Sequence, residues 1–482
     1  MKIFNKIFNR TALVVGVATL GLGACTKNFE RYNIDNSGLS DSQLAPDFNN
    51  LTLLRYAQQS IYNFAAGGDP NSFQLQQNLN ADCFSGYFMS ATPFNAGQNN
   101  LNYSMVTSWN GEPFKAAFLN VMKNIATVRR LGIDTSQPAV WGVALITQVA
   151  AMSRVTDIYG PIPYSKAGTA TTNIPYDAQQ DVYKRFFLEL DTATSNLRAF
   201  LAGSNQTLPF SYTKFDASSY QGNMAQWLHF ANSLRLRLAM HIIKADSLTA
   251  KAEAEKAMDP ASGGLITTNA DNFSLPMTAS SLTNPLVFIS QQWQDIRINA
   301  AITSYMNGYK DPRISRYFDK STDEAFPAAY VGIRIGSITG ANKKEDYVNY
   351  SALSTSTFNL KTPVTLMTAA EVYFLRAEAA LYGWANTDGS AQSLYEAGVN
   401  TSMSQWNVAA GAYLSDTKSK PASYHDPKNS RNDHDSMTSI TIAWSEAATQ
   451  AEKKERIITQ KWIAMFPEGQ EAWTEYRRTG YP

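Results

Sequence analysis

The chain has 482 residues and a formal net charge of +1, with 17% charged and 12% aromatic residues. That length allows a large core in one or two domains. The near-neutral balance leaves no electrostatic basis for holding nucleic acid or an anionic membrane surface, and two cysteines are too few for a disulfide framework.

Lys2, Lys6 and Arg10 form a basic start, and Thr11 to Gly23 is uncharged and apolar or small. Residues 1–24 therefore read as a secretory signal, too short and wrongly flanked for a spanning helix. The string Leu22-Gly23-Ala24-Cys25 is similar to the bacterial lipobox, which implies that Cys25 is lipidated and opens the mature chain. Loss of the signal removes three basic residues and no acids, moving the formal charge from +1 to −2. Residues 25–46 then read as the lipidated cysteine and a flexible tether containing Asn36, Ser37, Gly38 and Pro46. Cys83, left without a partner, reads as a small buried apolar residue.

From residue 47 helical periodicity dominates. Leu51, Leu54, Gln58, Ile61 and Tyr62 mark a first helix. Phe114, Phe118, Val121, Ile125 and Val128 mark a second, and Trp141, Ala144, Leu145, Gln148 and Met152 a third. Residues 180–202 and 223–244 follow, then 365–383, 389–405, 446–466 and 468–478. Several pair as helix, turn, helix with alanines at the facing positions, a pattern similar to degenerate tetratricopeptide packing. The fold class is mostly α, with helix pairs as scaffold and long irregular loops as a ligand-binding face. The segments 66–112, 259–284, 319–364 and 407–441 are the loops, with short strands expected at 330–335 and 346–350.

Segment 71–110 is the richest in binding chemistry. Its one charge is Asp82, set among Phe73, Phe84, Tyr87, Phe88, Phe94, Tyr103 and Trp109 and twelve asparagines and glutamines. Aromatic planes suit the C–H faces of sugar rings, and amides or a carboxylate suit their hydroxyl rims. Single-stranded nucleic acid would need a basic groove as well. Asp82, Tyr87, Phe94 and Trp109 are the expected ligand residues here. A second candidate at 284–317 adds Trp293 and Tyr317, near Asp311 and Arg313.

Catalytic signatures are not found: no G-x-S-x-G, H-E-x-x-H, C-x-x-C or Walker loop. His229 and His241 stand too far apart along one helix to share an ion. His425, Asp426, Asp433, His434 and Asp435 read as a solvated loop, so neither a metal nor a cofactor is expected. Glu371 and Glu378, the carboxylate pair worth testing against glycosidase chemistry, read as surface or intrahelical pairing, with Arg376 nearby.

Three strings carry a family resemblance. They are Thr156-Asp157-Ile158-Tyr159-Gly160-Pro161-Ile162-Pro163-Tyr164-Ser165, the run from Leu366 to Ala380, and the run from Gln460 through Trp473 to Tyr476-Arg477-Arg478-Thr479-Gly480-Tyr481-Pro482. With the lipobox and the Asp82 segment they resemble the SusD/RagB family of nutrient-binding outer-membrane lipoproteins, over nearly the whole chain. The resemblance implies one α-helical domain over 47–482, anchorage in the outer membrane facing outwards, and a SusC-like TonB-dependent transporter as partner. It implies capture of oligosaccharide, or of peptide as in the RagB branch, without catalysis. A surface glycosidase using Asp82 is the competing class. The strings themselves read as fold marks. Family members continue past the last string, so a C-terminal tail is expected to be missing.

Overall fold

The computed structural model describes residues 51–63, 68–168, 173–278, 282–337 and 344–482. The signal, Cys25 and the tether lie outside them. The main helices are α1 (Thr52–Asn63), α2 (Thr107–Ala117), α3 (Lys123–Arg130), α4 (Pro138–Tyr159), α5 (Gln179–Ala202) and α6 (Met224–His241). They continue with α7 (Ser247–Met258), α8 (Ala300–Gly308), α9 (Ala369–Leu381), α10 (Ala391–Gln405), α11 (Gln450–Met465) and α12 (Gly469–Thr479). The protein is mostly helical, as the periodicity predicts.

Local chemistry explains many of the helix starts. Pro138 opens α4, where its missing N–H costs nothing. Asn223 accepts from the backbone N–H groups of Ala225 and Gln226 to start α6, and Thr368 does the same for Glu371 in α9. Thr449 and Glu452 form a reciprocal capping box on α11. Glu468 caps α12 through the N–H of Glu471. At the other end of α4, Gly160 takes a φ of 74°, a conformation open to glycine, and Pro161 follows. This is the stop that Gly160-Pro161 predicts.

Consecutive helices pack in pairs: α4 on α5, α5 on α6, α6 on α7, and α9 on both α10 and α11. α4 is apolar enough to cross a bilayer by length and composition, yet its apolar stretch is wholly buried inside the protein. It is a central core helix, which is why it carries no polar face. A satellite core of Leu79, Cys83, Met89, Leu101, Ile333, Tyr347 and Tyr350 supports the loop segment after α1. Cys83 is buried, its thiol donating to the Asn78 carbonyl.

Several local expectations are corrected. The strands are β1 (Phe88–Ser90), β2 (Phe273–Leu275), β3 (Ile296–Ile298) and β4 (Val364–Met367), in two antiparallel pairs, β1 with β3 and β2 with β4. In the first, Phe88 stands opposite Ile298 and Ser90 opposite Ile296. Segment 330–335 contributes only a single bridge at Ile333, and 346–350 consists of turns. Residues 365–367 belong to β4 rather than to α9, because the β-branched Val364 and Thr365 pair across to β2 before Thr368 caps the helix. Helices α7 and α8 arise in stretches where no helix is expected.

Candidate functional site

The chain's charged residues meet first in the interior. The Arg237 guanidinium donates to both oxygens of Glu371, at 2.7 and 2.6 Å. Arg478 holds Glu378 through two bonds of 2.7 Å and Glu475 through bonds of 2.9 and 2.7 Å. Lys461 lies 3.2 Å from Glu475. His241 Nε2 lies 2.9 Å from Glu471, and Nδ1 lies 3.3 Å from Asp157. Burial alone would lower the His241 pKa, but the Glu471 and Asp157 carboxylates outweigh it and hold it at about 10. His241, Glu471 and Glu475 are close enough for a metal site, and each is also paired within the protein, His241 with Glu471 and Asp157 and Glu475 with Arg478 and Lys461. The arrangement is an ion-pair cluster joining α4, α6, α9, α11 and α12. The reading of Glu371 and Glu378 as surface or intrahelical groups is therefore wrong: both are buried and paired across helices. Arg376 pairs instead with Asp388 and with the carbonyls of Thr387 and Asp388.

Three expected ligand residues are also interior. Tyr87 is fully buried, donating its hydroxyl to the Trp462 carbonyl and stacking on that indole. Tyr317 is fully buried, donating to the Ile463 carbonyl at 3.0 Å and stacked on Phe466. Its neighbours Asp311 and Arg313 form a buried ion pair. Asp82 is fully buried and accepts from Gln77 Nε2 at 3.1 Å and Asn78 Nδ2 at 3.4 Å. Gln77 in turn accepts from Arg154, which pairs with Glu468. None of the three can touch a ligand, because core packing and protein hydrogen bonds use their faces and polar atoms. Trp293 is half-buried, edge-on to Phe288 at 5.3 Å. Phe94 and Trp109 form an edge-to-face pair at 6.2 Å, half-buried against the satellite core.

Burial is the main force on Asp82 and pushes its pKa up to about 7, with the Glu468 charge adding to it. Because the folded value lies above the ordinary one, the neutral form favours folding. That contribution is complete below about pH 4 and is lost as pH rises through about 7. Asp82→Asn is therefore expected to change stability little at pH 5 and to raise the melting temperature relative to wild type at pH 9. The opposite ordering would mean that the ionised carboxylate is held favourably.

Gly469 packs directly on Asp82: a Cβ there would stand 2.3 Å from Asp82 Oδ1 and 2.6 Å from its Cα. Only glycine lets the start of α12 lie this close to the short helix Ala81–Phe84. The junction brings together the two walls of a surface cavity of about 530 Å³. One wall comes from the loop segment: Gln76, Asn80, Ala81, Phe84, Asn100, Tyr103, Met105 and Asn110. The other comes from the ends of α4 and α12, with Ile158, Tyr159, Gln470, Trp473 and Tyr476; Pro113 and Ile335 complete it. Among the described residues no acidic or basic side chain lines it.

The loop amides are largely braces. Asn100 donates to Asn80 and Asn110 and accepts from the Val106 N–H. Asn99 and Asn102 cap the turn 100–102 reciprocally, and Asn99 also donates to the Phe94 carbonyl. What the braces present is Tyr103, 81% exposed at a backbone φ of 62°. A bulky residue in the left-handed region is strained, and an exposed aromatic held there has no packing reason to be one. Tyr476 and Met105 are also exposed. Trp473 is half-buried, with Arg477 over its ring at 4.0 Å and Phe84 at 5.4 Å. Tyr159 is tied by its hydroxyl to the Asn110 carbonyl at 2.5 Å.

Segment 71–110 thus contributes one wall, but chiefly through Tyr103 rather than through the four residues expected of it or the two expected of segment 284–317. The other wall comes from strings read only as fold marks. The signal was present in helical spacing: Gln470, Trp473 and Tyr476 recur every three residues and face the cavity, while Glu471, Glu475 and Arg478 face the ion-pair cluster. Two other cavities fit a ligand less well. One of about 510 Å³ is lined by Asp157, Lys184, His241, Asp246, Arg477 and Arg478 and opens on the cluster itself. Another of about 100 Å³ between β4 and Phe466 has room for only a few waters.

Comparison with known proteins identifies the family and agrees with the mostly helical fold. The family model for SusD-like proteins, the SusD and RagB outer membrane lipoproteins, matches residues 31–482. Among solved structures, a chitin-binding SusD homologue from Flavobacterium johnsoniae is 40% identical, with a TM-score of 0.83 over 91% of this chain and 87% of that one. A SusD homologue from Bacteroides vulgatus is 36% identical, also with a TM-score of 0.83 and the same coverage, 91% and 87%. A chitin-binding protein at 26% identity has a TM-score of 0.68 over 90% of this chain and 88% of that one. No curated protein matches the chain.

Proposed function

The chain belongs to the SusD-like family of SusD and RagB outer membrane lipoproteins, and from that premise we propose that it captures a neutral oligosaccharide and delivers it to a SusC-like TonB-dependent transporter. The observation that carries this reading is the cavity under Tyr103. It combines exposed aromatic rings with side-chain amides, and no charged side chain lines it among the described residues. Aromatic faces take the apolar sides of pyranose rings, and amides exchange hydrogen bonds with hydroxyls. A ligand bearing carboxylates or ammonium groups would meet no counter-charge there. Glycoside hydrolysis needs two carboxyl groups at the scissile bond, so the lining also supports binding without turnover. Two of the similar solved proteins are chitin-binding, which makes β-1,4-linked N-acetylglucosamine oligomers the first ligands to try. Calorimetric titration of wild type and Tyr103→Asn with chitotetraose, and with peptides as the alternative, tests the reading. It fails if peptides bind while sugars do not.

Lipidation and surface display are part of the same proposal. Cys25 as acyl acceptor, with a tether to residue 46, would hold the binding domain near its transporter at high effective concentration. Cys25→Ser is expected to move the protein from the membrane pellet to the soluble fraction and to impair uptake, with ligand affinity unchanged. Retention of the variant in washed membranes would remove the lipid from the account.

A further inference from the structure

Two amides in the cavity wall have atoms that the protein leaves unsatisfied. Gln76 and Gln470 are each 3% exposed, and both line the cavity, one from each wall. Gln76 donates through Nε2 to Ser72, yet its Oε1 has no partner. Gln470 Nε2 has none either. A buried polar atom without a partner is costly, and native structures seldom leave one without a reason. The neighbouring amides Asn80, Asn100 and Asn110 are committed to bracing the loop. Both atoms are buried as they stand, so presenting them to the cavity takes a rotation about the soft terminal torsion of each glutamine, and for Gln76 that rotation gives up its bond to Ser72.

The free atoms are one acceptor and one donor, and they come from opposite walls. Their complement is a group presenting an N–H and a carbonyl together. We propose that Gln76 and Gln470 are the specificity residues of this cavity and read the acetamido group of an N-acetylated sugar. Gln76 accepts from the acetamido N–H, and Gln470 donates to its carbonyl. The assignment rests on the oligosaccharide reading above and adds to it which sugars are preferred. A peptide amide presents the same two atoms, but the uncharged lining and the exposed rings of Tyr103 and Tyr476 favour a sugar. A hydroxyl at the same carbon offers one heavy atom where the acetamido group offers two, so it leaves one glutamine unpaired.

The test compares chitotetraose with cellotetraose, which has the same linkage and a hydroxyl in place of each acetamido group. Calorimetry on the detergent-solubilised mature lipoprotein is expected to give wild type about a tenfold preference for chitotetraose, the effect of the one glutamine that cellotetraose leaves unpaired. Gln76→Leu and Gln470→Met are each expected to shrink that preference, chitotetraose losing more affinity than cellotetraose does. A melting temperature close to that of wild type reports that the variants are folded. Equal wild-type affinity for the two sugars, or a preference that survives both substitutions, overturns the assignment and leaves oligosaccharide capture standing. Binding of neither sugar, with binding of an uncharged capped peptide, overturns the oligosaccharide reading itself.

Discussion

Replacing Arg478 with methionine is expected to destabilise the protein by about 3–5 kcal/mol, the cost of breaking a buried ion pair from one side. Arg478 is the shared partner of Glu378 and Glu475, and all three are almost completely buried. Its removal leaves Glu378 with the Tyr382 hydroxyl at 3.2 Å and Lys454 at 3.9 Å, and Glu475 with Lys461 at 3.2 Å and His241 at 4.0 Å. A loss of that size is a large share of the roughly 5–15 kcal/mol that usually separates folded from unfolded chains. The same variant with Glu378→Gln and Glu475→Gln should recover much of the loss, because neutral amides do not carry the desolvation cost of an unpaired charge.

The pH dependence gives the sign. In wild type, burial pushes the Glu475 pKa up, but Arg478 and Lys461 prevail and hold it at about 2. The stability it contributes is present above the ordinary glutamate value near 4.5 and is lost as pH falls towards 2. In Arg478→Met the same carboxyls lose that support, so protonation relieves them. The deficit relative to wild type should therefore be largest near pH 8 and narrow towards pH 4. Urea denaturation at both pH values measures it. A deficit below about 1 kcal/mol at pH 8 would show that the cluster is not held by charge pairing.

How much of this could be read in the sequence depends on whether the information is local. Helix positions follow from apolar periodicity and caps, and both are local, so α4, α5, α6, α10 and α12 fall close to their expected places. The partners of Glu371 and Glu378 are not local. They come from α6 and α12, more than a hundred positions away in the first case and one hundred in the second, and no helix-face argument on α9 alone could reveal them. The site residues failed for a related reason. Tyr87, Tyr317 and Asp82 have the right chemical types, but type does not report burial. Tyr103 looks no different from Tyr87 until the turn at 100–102 lifts one out and the β1–β3 pair draws the other in.

Helix α12 ties stability and binding together. Its face bearing Glu471, Glu475 and Arg478 closes the ion-pair cluster, and its face bearing Gln470, Trp473 and Tyr476 forms a cavity wall. The wall is therefore held on a rigid element anchored by buried charge, while the facing wall is a loop braced by asparagines. Preorganisation of this kind lowers the ordering cost of binding. It also means that a variant at the exposed Tyr476 can be tested for binding with little cost to the fold, which is not true of the inward face.

Tyr103→Asn is expected to weaken oligosaccharide binding by about 2 kcal/mol, roughly 30-fold, while leaving stability unchanged or slightly raised. Tyr103 is the most exposed aromatic residue on the cavity wall and has little packing to lose. Asparagine tolerates a φ of 62° better than tyrosine does, so the backbone of the turn should survive and its strain should ease. A loss of affinity without a loss of stability separates a binding role from a structural one. Tyr476→Ala is expected to cost less, about 1 kcal/mol, since the ring is half shielded on α12. Combining the two should bring affinity below detection for a ligand of micromolar strength. The control is Trp293→Ala, which lies outside the cavity lining and should leave affinity within about twofold of wild type. If Trp293→Ala abolishes binding and Tyr103→Asn does not, the ligand sits elsewhere on the loop face, and the strained tyrosine needs another explanation.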